Sequence, residues 1–258
     1  MLHNGIRRTL VAVFATLLCL FSPLSAYTAE AAGVCQSYEL GHYFDGFIQS
    51  ANATEAFEGV SSYIYPQNGA LCSGSTVAAW NYTNAWVMIT GRPGPEVTYD
   101  VGWGQVGFER TVGYPTRWFS QFNDGFRNFR TRYSSFPVDG EFSVRHAFFV
   151  TWGAGCHCLQ ATIDTTPWAS SEFNPFNPQQ SRFGAQPWSP QFLGETGYVQ
   201  TDIPGVPTKK VLYTGMGAQR YVDDQLESMP CTLASLNDFP DRWGLSASGC
   251  TSFTIWTK

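Results

Sequence analysis

The chain has 258 residues, of which only 14% are charged while 16% are aromatic, and its formal net charge is −5. A helical bundle carries more Lys, Glu and Arg on its solvated faces, so this composition excludes one and fits strands and turns rich in aromatics, glycine and proline. It also excludes a disordered chain, and without clustered Lys or Arg it excludes nucleic acid as a partner, since that binding depends on phosphate neutralisation.

Residues 1–32 read as a secretory signal. Arg7 and Arg8 form a basic start, Leu10 to Phe21 is a nearly continuous apolar run, and small residues follow at Ser25-Ala26 and around Ala29, Ala31 and Ala32. The run is short of the roughly 20 residues that a membrane span needs. The expectation is therefore a secreted, extracellular protein, with no membrane attachment once the signal is cleaved and one domain over residues 33–258. Loss of Cys19 leaves six cysteines, Cys35, Cys72, Cys156, Cys158, Cys231 and Cys250. They suit up to three disulfides in an oxidising compartment, with pairing open among 15 possibilities. Cys156-His157-Cys158 has zinc-ligand residue types, but adjacent residues of a strand point to opposite faces, so no metal site is expected there and no cofactor elsewhere. Asn52-Ala53-Thr54 and Asn81-Tyr82-Thr83 match the N-glycosylation sequon.

Helix is expected at Tyr43 to Asn52 and, more weakly, at 224–226 and 232–236. Strands are expected at Val60 to Tyr65, Thr76 to Trp80, Trp86 to Thr90, Tyr99 to Arg110, Arg117 to Phe122 and Ser143 to Trp152. Further strands follow at Leu159 to Asp164, Gln191 to Val199, Lys210 to Thr214 and Ser252 to Thr257. Turn signals separate them, among them Gly91-Arg92-Pro93-Gly94-Pro95 and Pro137-Val138-Asp139-Gly140. A long loop rich in Pro, Gln and Phe begins at Asn174. Many short strands with little helix predict an all-β fold, a two-sheet antiparallel β-sandwich of the lectin-like jelly-roll kind.

Alternation along the strands selects the candidate site residues. Trp103, Gln105, Gly107 and Glu109 share one face of their strand, and Gln191, Leu193, Glu195 and Gly197 share one face of theirs. A carboxylate on an apolar strand face has its pKa raised by burial, as a general acid or base requires. His146 shares a face with Val144, Phe148 and Val150 and reads as a packed core or edge histidine. Trp103, Trp118 and Trp188 are candidate platforms for sugar rings.

Three segments in order, Ala85-Trp86-Val87-Met88-Ile89, Gly104-Gln105-Val106-Gly107-Phe108 and Phe192-Leu193-Gly194-Glu195, resemble the core motifs of the glutamic peptidases and of the related lectin-like and neprosin-like sandwiches. The resemblance implies a two-sheet β-sandwich. It also implies roles: Glu195 would activate water while the amide of Gln105 supports the oxyanion of a tetrahedral intermediate. Two functions are therefore expected in order. The first is an extracellular module binding glycan or cell-surface material; the alternative is an acid endopeptidase using Gln105 and Glu195 on a polypeptide substrate.

Overall fold

The structure is a computed structural model that describes residues 33–36, 40–49, 56–74, 78–91, 100–184, 188–229, 231 and 233–258. The signal segment, Asn52, Thr76 and Tyr99 lie outside the described residues. Seven strands form the first sheet: β1 (Leu40–Gln49), β3 (Tyr82–Thr90), β4 (Trp103–Thr111), β5 (Arg117–Asn123), β6 (Phe129–Tyr133), β10 (Ser189–Tyr198) and β14 (Leu233–Asn237). Their order is β14-β1-β10-β3-β4-β5-β6, and every pairing is antiparallel.

The second sheet runs β15 (Trp243–Ala247), β16 (Ser252–Thr257), β12 (Lys209–Arg220), β2 (Phe57–Tyr65), β7 (His146–Gly153), β8 (Cys158–Ile163) and β9 (Thr166–Ser170). The short β11 (Gly205–Val206) and β13 (Leu226–Ser228) pair with β12. The two sheets are glued by facing rows of apolar side chains. Ala85, Val87, Ile89, Val106 and Phe108 of the first sheet share one buried cluster with Val60, Ile64, Phe148, Val150 and Val211 of the second. This is the expected all-β sandwich.

The opposite face of the first sheet is also partly apolar. Phe44, Ile48, Trp86, Met88, Trp103, Phe119 and Leu193 form a second buried cluster there. All ten residues of β10 are consequently buried, and a strand covered on both sides has no polar-out alternation to read.

Helix was expected at Tyr43 to Asn52, and the structure corrects this to strand β1. The chain there is hydrogen-bonded on both sides, to β10 and to β14, and a two-sided ladder with apolar packing on each face outweighs local propensity. The weaker helical expectations are corrected too: of 224–226 the first two residues are irregular and only Leu226 enters a strand, β13, while 233–236 belongs to β14.

The six cysteines pair as Cys35–Cys72, Cys156–Cys158 and Cys231–Cys250. Three disulfides fit an extracellular protein, and among the described residues no helix is long and apolar enough to cross a membrane. The Asn81 sequon is closed to modification, because the side chain is buried and donates from Nδ2 to the carbonyl of Cys72 at 2.8 Å. His146 sits largely buried at the edge of the core, against the Trp118 ring, with its Nδ1 2.9 Å from an Asp164 carboxylate oxygen.

The long loop folds inward through its aromatics. Phe176 stacks on Trp188 at 4.7 Å, and Phe183 packs on Trp188 at 4.7 Å. Gly102 makes this possible at the mouth of β4, since a Cβ there would fall 2.2 Å from the Phe183 ring.

Asp45 on β1 faces the interior between the sheets, alternating with Phe44. It is fully buried, and neither carboxyl oxygen has a hydrogen-bond partner among the described residues. Burial, reinforced by the negative charge of Asp238 and opposed by Lys258, pushes its pKa up to about 8. The unfolded chain ionises Asp45 near pH 4 and the folded chain does so only near pH 8, so between those values unfolding releases a proton. Stability is therefore expected to fall as pH rises from about 4 to 8. Thermal melts of wild type and Asp45→Asn across that range check it: the variant should lose much of the slope, and an unchanged slope would remove Asp45 as its source.

Candidate functional site

The candidate site is a groove of about 540 Å³ on the face of the first sheet turned away from the second. The strand ladder sets its layout in rows. Glu195 of β10 lies opposite Asn84 of β3, which lies opposite Glu109 of β4, which lies opposite Arg117 of β5. Four residues along the same strands, Gln191, Met88, Gln105, Gln121 and Thr131 form a parallel row. Because side chains alternate, both rows project to the same side.

Glu195 is 6% exposed and holds three donors. Its Oε2 accepts from Trp86 Nε1 at 2.9 Å, and its Oε1 accepts from the Tyr82 hydroxyl at 2.6 Å and from His42 Nδ1 at 2.5 Å. Burial alone would raise the Glu195 pKa, but the hydrogen bond and positive charge of His42, with Tyr82 and Trp86, bring it below the usual carboxylate value. His42 responds in the opposite sense. Burial presses its pKa down, yet the Glu195 hydrogen bond and charge outweigh this and hold it above the ordinary histidine value. His42 lies within a one-residue shift of the β1–β10 register between Leu40 and Tyr43, and the Trp80 ring sits edge-on to the imidazole at 5.0 Å.

Glu109 has a different environment. Its Oε1 accepts from the Thr111 hydroxyl at 2.9 Å and from the Tyr133 hydroxyl at 2.8 Å, and its Oε2 accepts from Asn84 Nδ2 at 3.4 Å. Burial outweighs these donors, the negative charge of Glu195 adds to it, and the Glu109 pKa is raised. The row thus holds two carboxylates pushed in opposite directions, the condition under which one acts as acid and the other as base.

The groove also carries hydrogen-bonding capacity that the fold leaves unmet. Asn84 Oδ1 and Trp103 Nε1 are buried and have no partner among the described residues. Such orphaned groups are uncommon in folded proteins, and a ligand is one way to satisfy them. Aromatic rings stand at the rim. Tyr114 is 58% and Phe129 43% exposed, Arg117 lies between the rings of Tyr114 and Tyr133 at 4.3 and 4.1 Å, and Trp103 packs 6.1 Å from Phe129.

The sequence-selected residues divide as follows. Gln105 and Glu195 both line the groove, but they stand two strands and four residues apart, about 16 Å between backbone positions. Gln105 instead donates to Gln121 at 3.2 Å, and Gln121 donates to the Thr131 hydroxyl at 2.9 Å. Trp103 lines the groove. Trp118 and Trp188 do not: Trp118 packs between the sheets on Phe148, and Trp188 is fully buried among Phe176 and Phe183, so neither presents a face to a ligand. Cys156 and Cys158 are bonded to each other. Sequence reading missed His42, Tyr82, Asn84 and the rim aromatics. Asn84 was within reach, since it lies two residues before Trp86 and so on the same face of β3.

No protein-family model and no curated protein matches the chain. Among solved structures, scytalido-glutamic peptidase with a peptide-based transition state analog superposes at a TM-score of 0.51 and 13% identity, covering 85% of this chain and 100% of that one. The likeness is one of fold. A glycoside hydrolase family 16 endo-glucanase from Bacteroides ovatus matches at TM-score 0.33 and 9% identity, over 63% of this chain and 74% of that one. LamAcat from Zobellia galactanivorans matches at 0.34 and 12%, over 58% of each chain.

The His42–Glu195 contact makes a direct prediction. In an NMR titration the His42 imidazole should titrate above the ordinary histidine value, and Glu195→Gln should lower it, because the carboxylate's charge and charge-assisted hydrogen bond are lost while the burial that disfavours the imidazolium stays. A His42 titration unaffected by the substitution would mean that the two side chains do not pair in solution.

Proposed function

We propose that the protein is an extracellular glycan-binding module whose ligand lies in the groove of the first sheet. The observation that carries this reading is the pairing of exposed rim aromatics with unmet polar atoms on the floor. Tyr114 and Phe129 offer flat apolar faces, while Asn84 Oδ1, Trp103 Nε1 and the Gln105–Gln121 amides offer donors and acceptors. A sugar presents the same combination, an apolar ring face edged by hydroxyls. The acidic protein and the two groove carboxylates favour a neutral saccharide over a sulfated or phosphorylated one.

A glycan array followed by calorimetry tests this. Phe129→Ala and Tyr114→Ala change exposed side chains, so the melting temperature should hold while Kd for the best array hit rises by about tenfold, the effect of losing about 1.4 kcal/mol of stacking and packing. An array without hits, or a Kd unmoved by both substitutions, would sink the binding module.

A second reading, an acid hydrolase, is favoured by the opposed pKa shifts of Glu109 and Glu195 in one row of the groove. Glu109, whose pKa burial raises, would donate to the leaving group, and Glu195 with His42 would take a proton from the attacking water. Gln105, standing in the other row, would bind substrate rather than support the same oxyanion as Glu195 acts upon. The substrate of this reading is a polypeptide or a polysaccharide. Incubation with denatured casein and with soluble polysaccharides from pH 3 to 6 separates it from simple binding. Cleavage should be lowered by at least about a hundredfold in Glu109→Gln and in Glu195→Gln. Both polymers left intact throughout that range would count decisively against the hydrolase.

A further inference from the structure

The Cys156–Cys158 disulfide stands apart from the other two. It joins residues only 2 apart in sequence, whereas Cys35–Cys72 and Cys231–Cys250 join residues 37 and 19 apart. A cross-link restrains the unfolded chain in proportion to the logarithm of the loop it closes, so this one restrains almost nothing that the neighbouring peptide bonds do not already restrain. It is therefore a poor staple.

Its placement suits chemistry instead. It caps the β7–β8 hairpin, where Gly153 pairs with Cys158 and the amide of Cys156 donates to the carbonyl of Gly153 at 3.2 Å. Cys156 is exposed and Cys158 is buried, so one sulfur is open to attack and the other is positioned as the leaving group. Gly153 keeps the approach open, since a Cβ there would meet the Cys156 Sγ at 3.0 Å. Both cysteines and His157 also line a hollow of about 500 Å³ shared with Glu172 and with Asn174 and Gln180 of the inward-folded loop.

We propose that Cys156–Cys158 is a thiol–disulfide exchange site for small thiols and exposed cysteine side chains. The incoming thiolate attacks Cys156 Sγ. A mixed disulfide forms there, the Cys156–Cys158 bond breaks, and its electron pair leaves on Cys158 Sγ, which takes a proton from water. A second thiolate attacks the sulfur of the first thiol in the mixed disulfide, releasing the oxidised thiol pair and leaving Cys156 reduced. Two thiols are oxidised and one protein disulfide is reduced. The turn packs beside a chain of rings that leads to the core: His157 lies 6.0 Å from Trp152, Trp152 lies 4.8 Å from Phe176, and Phe176 stacks on Trp188.

The full chain, folded and oxidised, is incubated with rising concentrations of glutathione, quenched by alkylation and mapped by mass spectrometry, with circular dichroism recorded in parallel. Cys156 and Cys158 should open at glutathione concentrations at least tenfold below those that open the buried Cys35–Cys72 pair, with the strand signal unchanged and the trapped glutathione adduct on Cys156. Opening only together with loss of the strand signal, or an adduct confined to Cys158, would overturn the proposal. A stability comparison makes the result independent of exchange rates. The double variant Cys156→Ser/Cys158→Ser should keep its melting temperature within a few degrees of wild type, and the corresponding Cys231→Ser/Cys250→Ser variant should melt markedly lower. An equal loss in the two would make Cys156–Cys158 a structural cross-link and remove the proposed role.

Discussion

An ionised carboxylate on a strand covered from both sides is tolerated only if the fold supplies enough donors, and the Glu195 carboxylate organises the first sheet around that need. The three donors described come from β1 (His42) and from the start and the middle of β3 (Tyr82 and Trp86). These strands are the immediate neighbours of β10 on either side. Meeting the demand thus fixes the register of three adjacent strands at one row. It also determines which groups remain for a ligand, because Trp86 and Tyr82 are committed to Glu195 while Asn84, between them on the same face, keeps an acceptor unmet.

The same covering explains why parts of the fold were legible in the sequence and others were not. Strands such as β16 and β2 showed clear β-rich runs between turn signals and were placed closely. β1 gave no such signal, because Phe44 and Ile48 serve one apolar cluster while Asp45 and Phe47 face the other layer. With both faces buried there is no binary alternation, and a run containing Tyr, Phe, Asp, Gly and Gln resembles an amphipathic helix as much as a strand. The short edge strands β9, β13 and β14 were lost for a different reason: their pairing is set by the neighbour they meet, and that information is not local.

The site was partly legible in the same sense. The face assignments of Gln105, Glu109, Glu195 and Trp103 follow from period-2 alternation alone, and the structure places all four on the groove. Which of them stand together does not follow from alternation, because it depends on the registers of β10 against β3 and of β3 against β4. The tryptophans show the matching limit. A large aromatic side chain is a sound marker of buried area, and Trp118 and Trp188 are spent on the core, whereas the exposed ring surface comes from Tyr114 and Phe129, which no pattern distinguishes from other loop and edge aromatics.

Register gives the groove two chemically different ends on the same strands. The carboxylate row, Glu195–Asn84–Glu109–Arg117, and the amide row, Gln105–Gln121–Thr131, are separated along the strands by about 13 Å. Trp86, Gly107, Phe119 and Tyr133 lie between them as a mostly apolar floor. A small ligand engages only one row. An extended polymer lying along the strand direction spans both, with its polar groups on the amides at one end, its apolar surface over the middle, and its reactive or acidic-sensitive linkage beside Glu109 and Glu195 at the other. The length of the groove therefore argues for a polymeric ligand in either functional reading, and binding at the amide row would be the step that brings a linkage to the carboxylates.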